Sequence, residues 1–577
     1  MTSSTSVNPG IALDQAAAFP RSAPSDPAAP HVRSARVSID AGADRGPLAR
    51  LWESVGFDEI NWTYTATGRS LLRSFGELTE NGYYIRPHYV FCSGSGFGIP
   101  HWGNGNVYHE DAEGNPSYDF TIVDQTYDAI VEAGHHVLVE LAFTPRDMLP
   151  DEAAEMTVPS SPTVYSSYEH GAWSYPPRDY AKWGALIAAH VEHCVERYGL
   201  DEVRTWLWEL WNEPDIFYWQ GTPQQFYDLY SVTARAVRSV VPDAKVGGPA
   251  VTGGGVEFMR GFLAHTLAQS DPLDFVSFHT KGSAFTPWRV YGHTGAAAPE
   301  QQNPSGNKML FEVRRLLRVV AEFEEYHHLP AIVDECDAGV PAHYSAYDNA
   351  NFQFQNTEYY PVFQVKLMKK LLDLNEIETV QVEQATSWSW YFEGERYFEG
   401  TRAFLTAGGI EKPLLNAYRA LAHLGSNRVE ATSDAAYPVT ELDDAIRTGA
   451  SMPEEVDVLA ARDDSGGLAA LVWRHTDDQY QTDEETTAVD VVVSGLADGE
   501  HVLRHWRIDS DHSNAHTVWA GLGSPQVPTD DELAAIKARQ GLESFEDERR
   551  VTVEGGRLEL TLQLPLPAVS LLTVEPV

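Results

Sequence analysis

The stretch Thr205-Trp-Leu-Trp-Glu-Leu-Trp-Asn-Glu-Pro-Asp215 decides how the rest of the chain is read. Up to Trp211 it is apolar at positions facing both sides, as expected of a strand covered by helices outside and packed on other strands inside. Pro214 has no N–H for strand pairing, so the chain must turn just after Glu213. A carboxylate therefore closes the strand.

Working outward, eight apolar runs alternate with helical patterns between about Leu48 and Gly425. They are Gly56–Trp62, Tyr83–Phe91, His136–Phe143, Thr205–Trp211, Lys245–Ala250, Asp274–His279, Ala331–Glu335 and Val380–Trp390. Trp183, Leu186, Ile187, Val191, Cys194, Val195 and Tyr198 follow amphipathic-helix spacing, as do Leu310, Val313, Leu316, Leu317, Val320 and Phe323. Thr222, Pro223 and Gln225 supply an N-cap, a first-turn proline and a capping box. Eight strand–helix units predict an α/β fold, a (β/α)8 TIM barrel over 48–425. After Gly425 the rhythm shortens to strand candidates at Val456–Ala461, Leu468–Trp473, Ala488–Val493, His501–Ile508, Val551–Val553, Leu558–Leu564 and Ala568–Val574, which predicts a C-terminal β-sandwich over 426–577. Residues 31–47 read as one strand joining that sandwich. Residues 1–30, rich in Ser, Ala, Pro and Asp, read as a disordered tail.

Composition narrows the function. The chain has 577 residues, is 43% hydrophobic and 11% aromatic, and carries a formal charge of −42. Large cores are implied, and so is repulsion of polyanions: no nucleic acid and no membrane partner is expected. No apolar run reaches the roughly 18–20 residues a membrane helix requires, and no secretory leader pattern opens the chain, so a cytoplasmic location is expected. Cys92, Cys194 and Cys336 show neither CxxC spacing nor disulfide density. The adjacent pairs His135–His136 and His327–His328 are poorly spaced for one metal, and no metal or cofactor is assigned.

In a barrel of this kind reacting groups sit at the C-terminal ends of strands. Glu213 closes the fourth run and Glu335 the seventh, facing one another across the mouth. Paired carboxylates are what glycosidic cleavage needs: one protonates the departing oxygen, the other attacks the anomeric carbon or activates water. The aromatic residues Trp102, Trp288, Trp388 and Trp390 are candidates for stacking on sugar rings, with core packing the alternative for each.

The strings WLWELWNEPD (206–215), IRPHYVF (85–91), DFVSFHT (274–280), AIVDECD (331–337), GGIEKPLLNAYRALAHLG (408–425) and RIDSDHSNAHTVWAGLGSPQVPT (507–529) together resemble glycoside hydrolase family 39, which contains β-xylosidases and α-L-iduronidases. The resemblance implies a retaining double displacement with Glu213 as general acid/base and Glu335 as nucleophile. It implies that Asn212 contacts the sugar 2-hydroxyl and that His88 and His279 line the subsite of the sugar released. Trp390 and Glu393, at and just beyond the end of the eighth run, complete the candidate substrate-binding set with Lys281 and Arg402. The acid's proton affinity would be raised by an ionised Glu335 and by burial under Trp208, Trp211 and Trp390.

One departure bears on specificity. The β-xylosidase branch typically has Tyr two places after the sixth-strand His, where this chain has Lys281 in SFHTKGS. That resembles the iduronidase branch, in which the lysine contacts the substrate carboxylate; Arg402 in FEGTRAF would be a second such contact. The flanking YPPRDYAKWGALI (175–187) looks more like the bacterial xylosidases. A β-D-xylosidase acting on terminal xylose of xylo-oligosaccharides or xylosides leads, and a uronic-acid exo-glycosidase resembling α-L-iduronidase follows. A non-catalytic carbohydrate-binding barrel would require loss of one carboxylate, and both are present. The negative charge suits a neutral glycoside substrate. A homo-oligomer is left open, since nothing in the sequence separates monomer, dimer and tetramer.

Overall fold

The structure, a computed structural model, describes residues 31–94, 103–154, 172–283, 301–339, 345–392, 396–443 and 451–577. The chain starts at β1 (Ser34–Pro47) and enters eight parallel strand segments: β2 (Ser54–Phe57), β3 (Tyr84–Pro87), β4 (His136–Leu141), β5 (Leu207–Leu210), β6 (Lys245–Val251), β7 (Phe275–Lys281), β8 (Ala331–Asp337) and β9 (Val382–Ala385). The last is interrupted at Thr386 and resumes as β10 (Ser387–Trp388).

Each strand from β2 to β9 pairs with the next, in chain order. The interruption closes the circle. Val382 pairs with Ala331 of β8, whereas Ser387 pairs with Val55 of β2. At the crossing point Thr386 donates its N–H to Val333 at 2.8 Å, and its hydroxyl lies 2.7 Å from that of Ser54. The result is a TIM-barrel-like fold. Every residue of β2, β5 and β8 is buried, which is why these strands read as continuous apolar runs rather than alternating ones.

Helices cover the outside. Tyr180–Tyr198 buries Trp183, Leu186, Ile187, Val191 and Cys194, while Pro223–Val240 starts from the Thr222 cap with its Gln225 capping box in place. Gly306–Val320 ends before Phe323, which lies in the turn beyond. The three cysteines are free and buried. Among the described residues no helix is long and apolar enough to cross a membrane.

The second body is one hydrogen-bonded sheet of nine strands. β11 (Asn427–Ser433), β12 (Glu455–Arg462), β13 (Leu468–His475), β14 (Thr487–Ser494), β15 (Gly499–Ile508), β16 (Glu543–Val553), β17 (Leu558–Leu564) and β18 (Ala568–Pro576) combine with β1 in the order β16-β15-β18-β13-β12-β11-β1-β14-β17. All neighbours are antiparallel except β1 and β14. Alternate residues such as Val37, Ile39, Val458, Val491 and Leu572 form an apolar layer of their own, separate from the barrel core.

The two bodies meet at the helix Tyr359–Asn375, which is buried along nearly its whole length. Two of its lysines cross the junction: Lys366 lies 2.6 Å from Asp477, and Lys370 lies 2.8 Å from both Glu455 and Asp457. A buried ammonium is tolerated only when paired in this way.

Candidate active site

The C-terminal ends of the barrel strands open into a cavity of about 330 Å³, lined among others by Asp58, His88, Asn212, Glu213, His279, Lys281, Glu335 and Trp388. Trp388 fits in this mouth because Gly56 leaves it room; a Cβ there would come 2.4 Å from the indole. Around the same ring sit Arg86 at 5.3 Å, Lys281 at 5.8 Å and Arg402 at 5.7 Å from its centroid. Cations so placed are attracted by the ring quadrupole.

Glu213 is presented by a strained turn. Trp211 has φ +67° and Glu213 φ +45°, a left-handed conformation that residues other than glycine enter only when the surroundings enforce it. The enforcing contacts are the Glu213 N–H to Ala250 at 2.9 Å and the Asp215 carboxylate accepting from the Thr252 N–H at 2.9 Å. The Glu213 side chain is 15% exposed.

The imidazole of His279 joins the two carboxylates. Its Nδ1 lies 2.9 Å from Glu213 and 3.5 Å from Glu335, while Nε2 faces Asp334 at 3.4 Å. One oxygen from each glutamate and a His279 ring nitrogen all fall within 4.8 Å of one another. Two carboxylates and an imidazole are a donor set that a divalent cation could meet. Here, however, Lys281 stands 2.8 Å and Arg86 3.4 Å from Glu335, placing positive charge against the oxygens such an ion would need.

These charges drive the two glutamates apart. Burial pushes Glu335 up, but His279, Lys281 and Arg86 overcome it and hold the carboxyl at about 2. For Glu213 burial wins: with the Glu335 charge beside it, the carboxyl rises above the usual range despite His279 and Lys281. One group is thus held ionised and its neighbour is biased toward the acid form.

Beneath the mouth, fully buried Arg86 is the hub. Its guanidinium donates to Glu209 at 2.7 Å and to Asn212 Oδ1 at 3.1 Å, and lies 3.3 Å from both Glu140 and Asp334. Anchored by its oxygen, Asn212 keeps its amide nitrogen for a ligand. Burial makes ionisation of several of these carboxylates costlier. Burial raises Glu209 well above the ordinary value, Glu59 to about 7 and Asp337 to about 6. His88 is raised to about 9: burial opposes its charge, but Glu140 at 3.0 Å and Asp58 at 2.8 Å more than compensate.

Of the residues singled out from the sequence, His88, Asn212, Glu213, His279, Lys281 and Glu335 all line this cavity. Trp390 does not. It is wholly buried and stacks on Phe57 at 4.2 Å, so its indole belongs to the core, while Trp388 lines the mouth. Nor do Trp208 and Trp211 cover Glu213, since they pack against Trp206 and His190 and against Trp219 and Phe143; the apolar wall near Glu213 is Ile216, Phe217 and Tyr218. Arg402 is fully buried beside the mouth, held by Asp58 at 3.1 Å and Glu59 at 2.9 Å. Glu393, Trp102 and Trp288 lie outside the described residues. His135 accepts from the Tyr83 N–H and reaches the Leu72 carbonyl, a structural role. The sequence reading missed Asp58, Arg86, Glu140 and Asp337. A charged residue inside the apolar run YIRPHYVF was the available signal for Arg86.

Comparison with known proteins follows the same line. The profile of Glycosyl hydrolases family 39 matches residues 35–550. A Beta-xylosidase from Geobacillus stearothermophilus is 26% identical over 532 residues, covering 90% of this chain and 93% of that one. An Alpha-L-iduronidase from Homo sapiens is 25% identical over 297 residues, covering 46% of this chain and 38% of that one. Among solved structures, a monomeric beta-xylosidase from Caulobacter crescentus CB15 superposes with a TM-score of 0.73 at 23% identity, covering 94% of this chain and 99% of that one.

Proposed function

The chain belongs to glycosyl hydrolases family 39, and from that premise we propose that it releases terminal β-D-xylosyl residues from xylo-oligosaccharides or xylosides by a retaining double displacement. The observation that carries this reading is the pair Glu213 and Glu335, with oxygens within 4.8 Å and proton affinities displaced in opposite directions. Retaining enzymes hold their carboxyls about 5–5.5 Å apart, whereas inverting ones leave about 6.5–9.5 Å for a water.

Glu213 gives its proton to the leaving oxygen as Glu335 attacks the anomeric carbon. Once the glycosyl ester forms, the charge of Glu335 is gone, Glu213 is stabilised as a carboxylate, and it takes the proton of the incoming water. Asn212, oriented by Arg86, holds the 2-hydroxyl. His279, kept charged because Glu335 and Asp334 outweigh its burial, ties the acid/base to the nucleophile. Residues 48–425 form the catalytic body, and we read the nine-stranded sheet built from 31–47 and 426–577 as the β-sandwich.

A neutral sugar is favoured because the cations near the cavity are already engaged. Lys281 lies 2.8 Å from Glu335 and 2.7 Å from Asp337, and Arg402 is held by Asp58 and Glu59. A second reading, cleavage of α-L-iduronides, draws on Lys281, which lines the cavity and is 16% exposed. Turnover of an aryl β-D-xyloside against an aryl α-L-iduronide tests the choice, and NMR of the first-formed anomer tests retention. Faster turnover of the iduronide, or an inverted first product, refutes the reading.

A further inference from the structure

The carboxylate of Asp58 has no role in the double displacement, yet it lines the same cavity as Glu213 and Glu335. It is the first residue after β2, at the C-terminal end of a barrel strand, where ligand-contacting groups of such barrels lie. Its two oxygens are separately fixed: Oδ1 lies 2.8 Å from Nδ1 of His88, and Oδ2 accepts from Arg402 at 3.1 Å. A carboxylate oxygen has two acceptor positions, so each retains one. Burial opposes its charge, but His88, Arg402 and Lys281 outweigh that and keep Asp58 ionised, hence an acceptor only.

We propose that Asp58 is a substrate-contacting residue that accepts a hydrogen bond from the 3- or 4-hydroxyl of the terminal sugar, and whose negative charge disfavours an anionic glycone. The inference rests on the xylosidase reading above. β-D-Xylosides and α-L-iduronides share their configuration from C1 to C4 and differ in the carboxylate on C5. The hydroxyls of either sugar can donate to Asp58, but the C5 carboxylate of the iduronide adds a like charge beside it and no donor. Asp58 also engages Arg402, whose guanidinium lies 5.7 Å from the Trp388 ring, so that the protein's own anion already occupies a cation an anionic sugar would seek. Glu59 separates this role from simple ion pairing. It holds Arg402 at 2.9 Å and is 1% exposed, but it is not among the lining residues.

The test compares nitrophenyl β-D-xyloside with its 3-deoxy and 4-deoxy analogues in the wild type, Asp58→Asn and Glu59→Gln. A hydrogen bond to a charged group is worth roughly 10- to 100-fold in kcat/KM. The wild type should lose that factor on one deoxy sugar, Asp58→Asn should lose it on the parent and discriminate the pair little, and Glu59→Gln should keep the wild-type ratio. Full wild-type discrimination in Asp58→Asn, or an equal collapse in Glu59→Gln, overturns the proposal while leaving the xylosidase reading intact. Wild-type preference for the iduronide overturns both. Should Asp58→Asn fail to fold, Asp58→Ser carries the same ratio test.

Discussion

Oε1 of Glu213 and Nδ1 of His279 are joined by a 2.9 Å hydrogen bond, and that same nitrogen is 3.5 Å from Glu335. A single buried cation therefore touches both members of the carboxylate pair, and disturbing either member is felt by the other.

Removal of the nucleophile is the most direct consequence. Glu335→Ala should lower kcat on aryl xylosides by about 10⁴-fold or more, as loss of a covalent nucleophile does elsewhere. Steady-state kinetics with trace wild type excluded is the measurement; an unchanged kcat would remove Glu335 from the role.

The acid should reveal itself through the leaving group. Glu213→Gln should cost about 10²–10⁴-fold on alkyl xylosides or xylobiose. Dinitrophenyl xyloside, whose leaving group needs little protonation, should suffer far less in its glycosylation step, measured as pre-steady-state release of dinitrophenol. Equal losses on both substrates would contradict an acid role.

The pH profile follows from the sign of each displacement. Glu335 must be ionised, and with its carboxyl held at about 2 the acidic limb of kcat/KM should lie far below the ordinary glutamate range. Glu213 must be protonated, and its raised value places the basic limb above that range. Lys281→Met removes a charge that favours ionised Glu335, so the acidic limb should move upward, by about one unit for each 1.4 kcal/mol of lost interaction. A limb that stays in place would show that Lys281 does not tune the nucleophile.

The junction between the two bodies gives a stability test remote from the chemistry. Lys370→Met leaves Glu455 buried without its cation and Asp457 with Lys369 alone, at 3.1 Å. Breaking one partner of a buried pair costs about 3–5 kcal/mol. Denaturant unfolding should show a loss of that order, while kcat of the folded enzyme stays near wild type.

Much of the barrel is legible in the sequence because its strands are buried on both faces and so write themselves as apolar runs. β11 is not, since Asn427, Arg428, Glu430 and Thr432 give a paired strand the composition of a loop. Asp58 was hidden for the opposite reason. The first apolar run continues through Ile60 and Trp62, but those residues form a short 3₁₀ turn, and the strand ends at Phe57. With the strand ending at Phe57, Asp58 is a strand-end carboxylate like Glu213 and Glu335. Trp390 shows what apolar pattern withholds: an indole at a strand end can face the mouth or the core, and only packing on Phe57 decides.

β1 lies between β11 and β14 within the second sheet, and the Thr487 hydroxyl bonds the Val32 carbonyl across 455 residues of chain. On the ribosome the strand therefore emerges long before either neighbour exists. At about 5–20 residues per second, it waits on the order of 20–90 s, while the entire barrel is translated, with its hydrogen-bonding edges unpaired. The newborn chain consequently carries an unpaired strand edge at Ser34–Pro47 ahead of its folding catalytic body, open to pairing with other chains until its own neighbours are made.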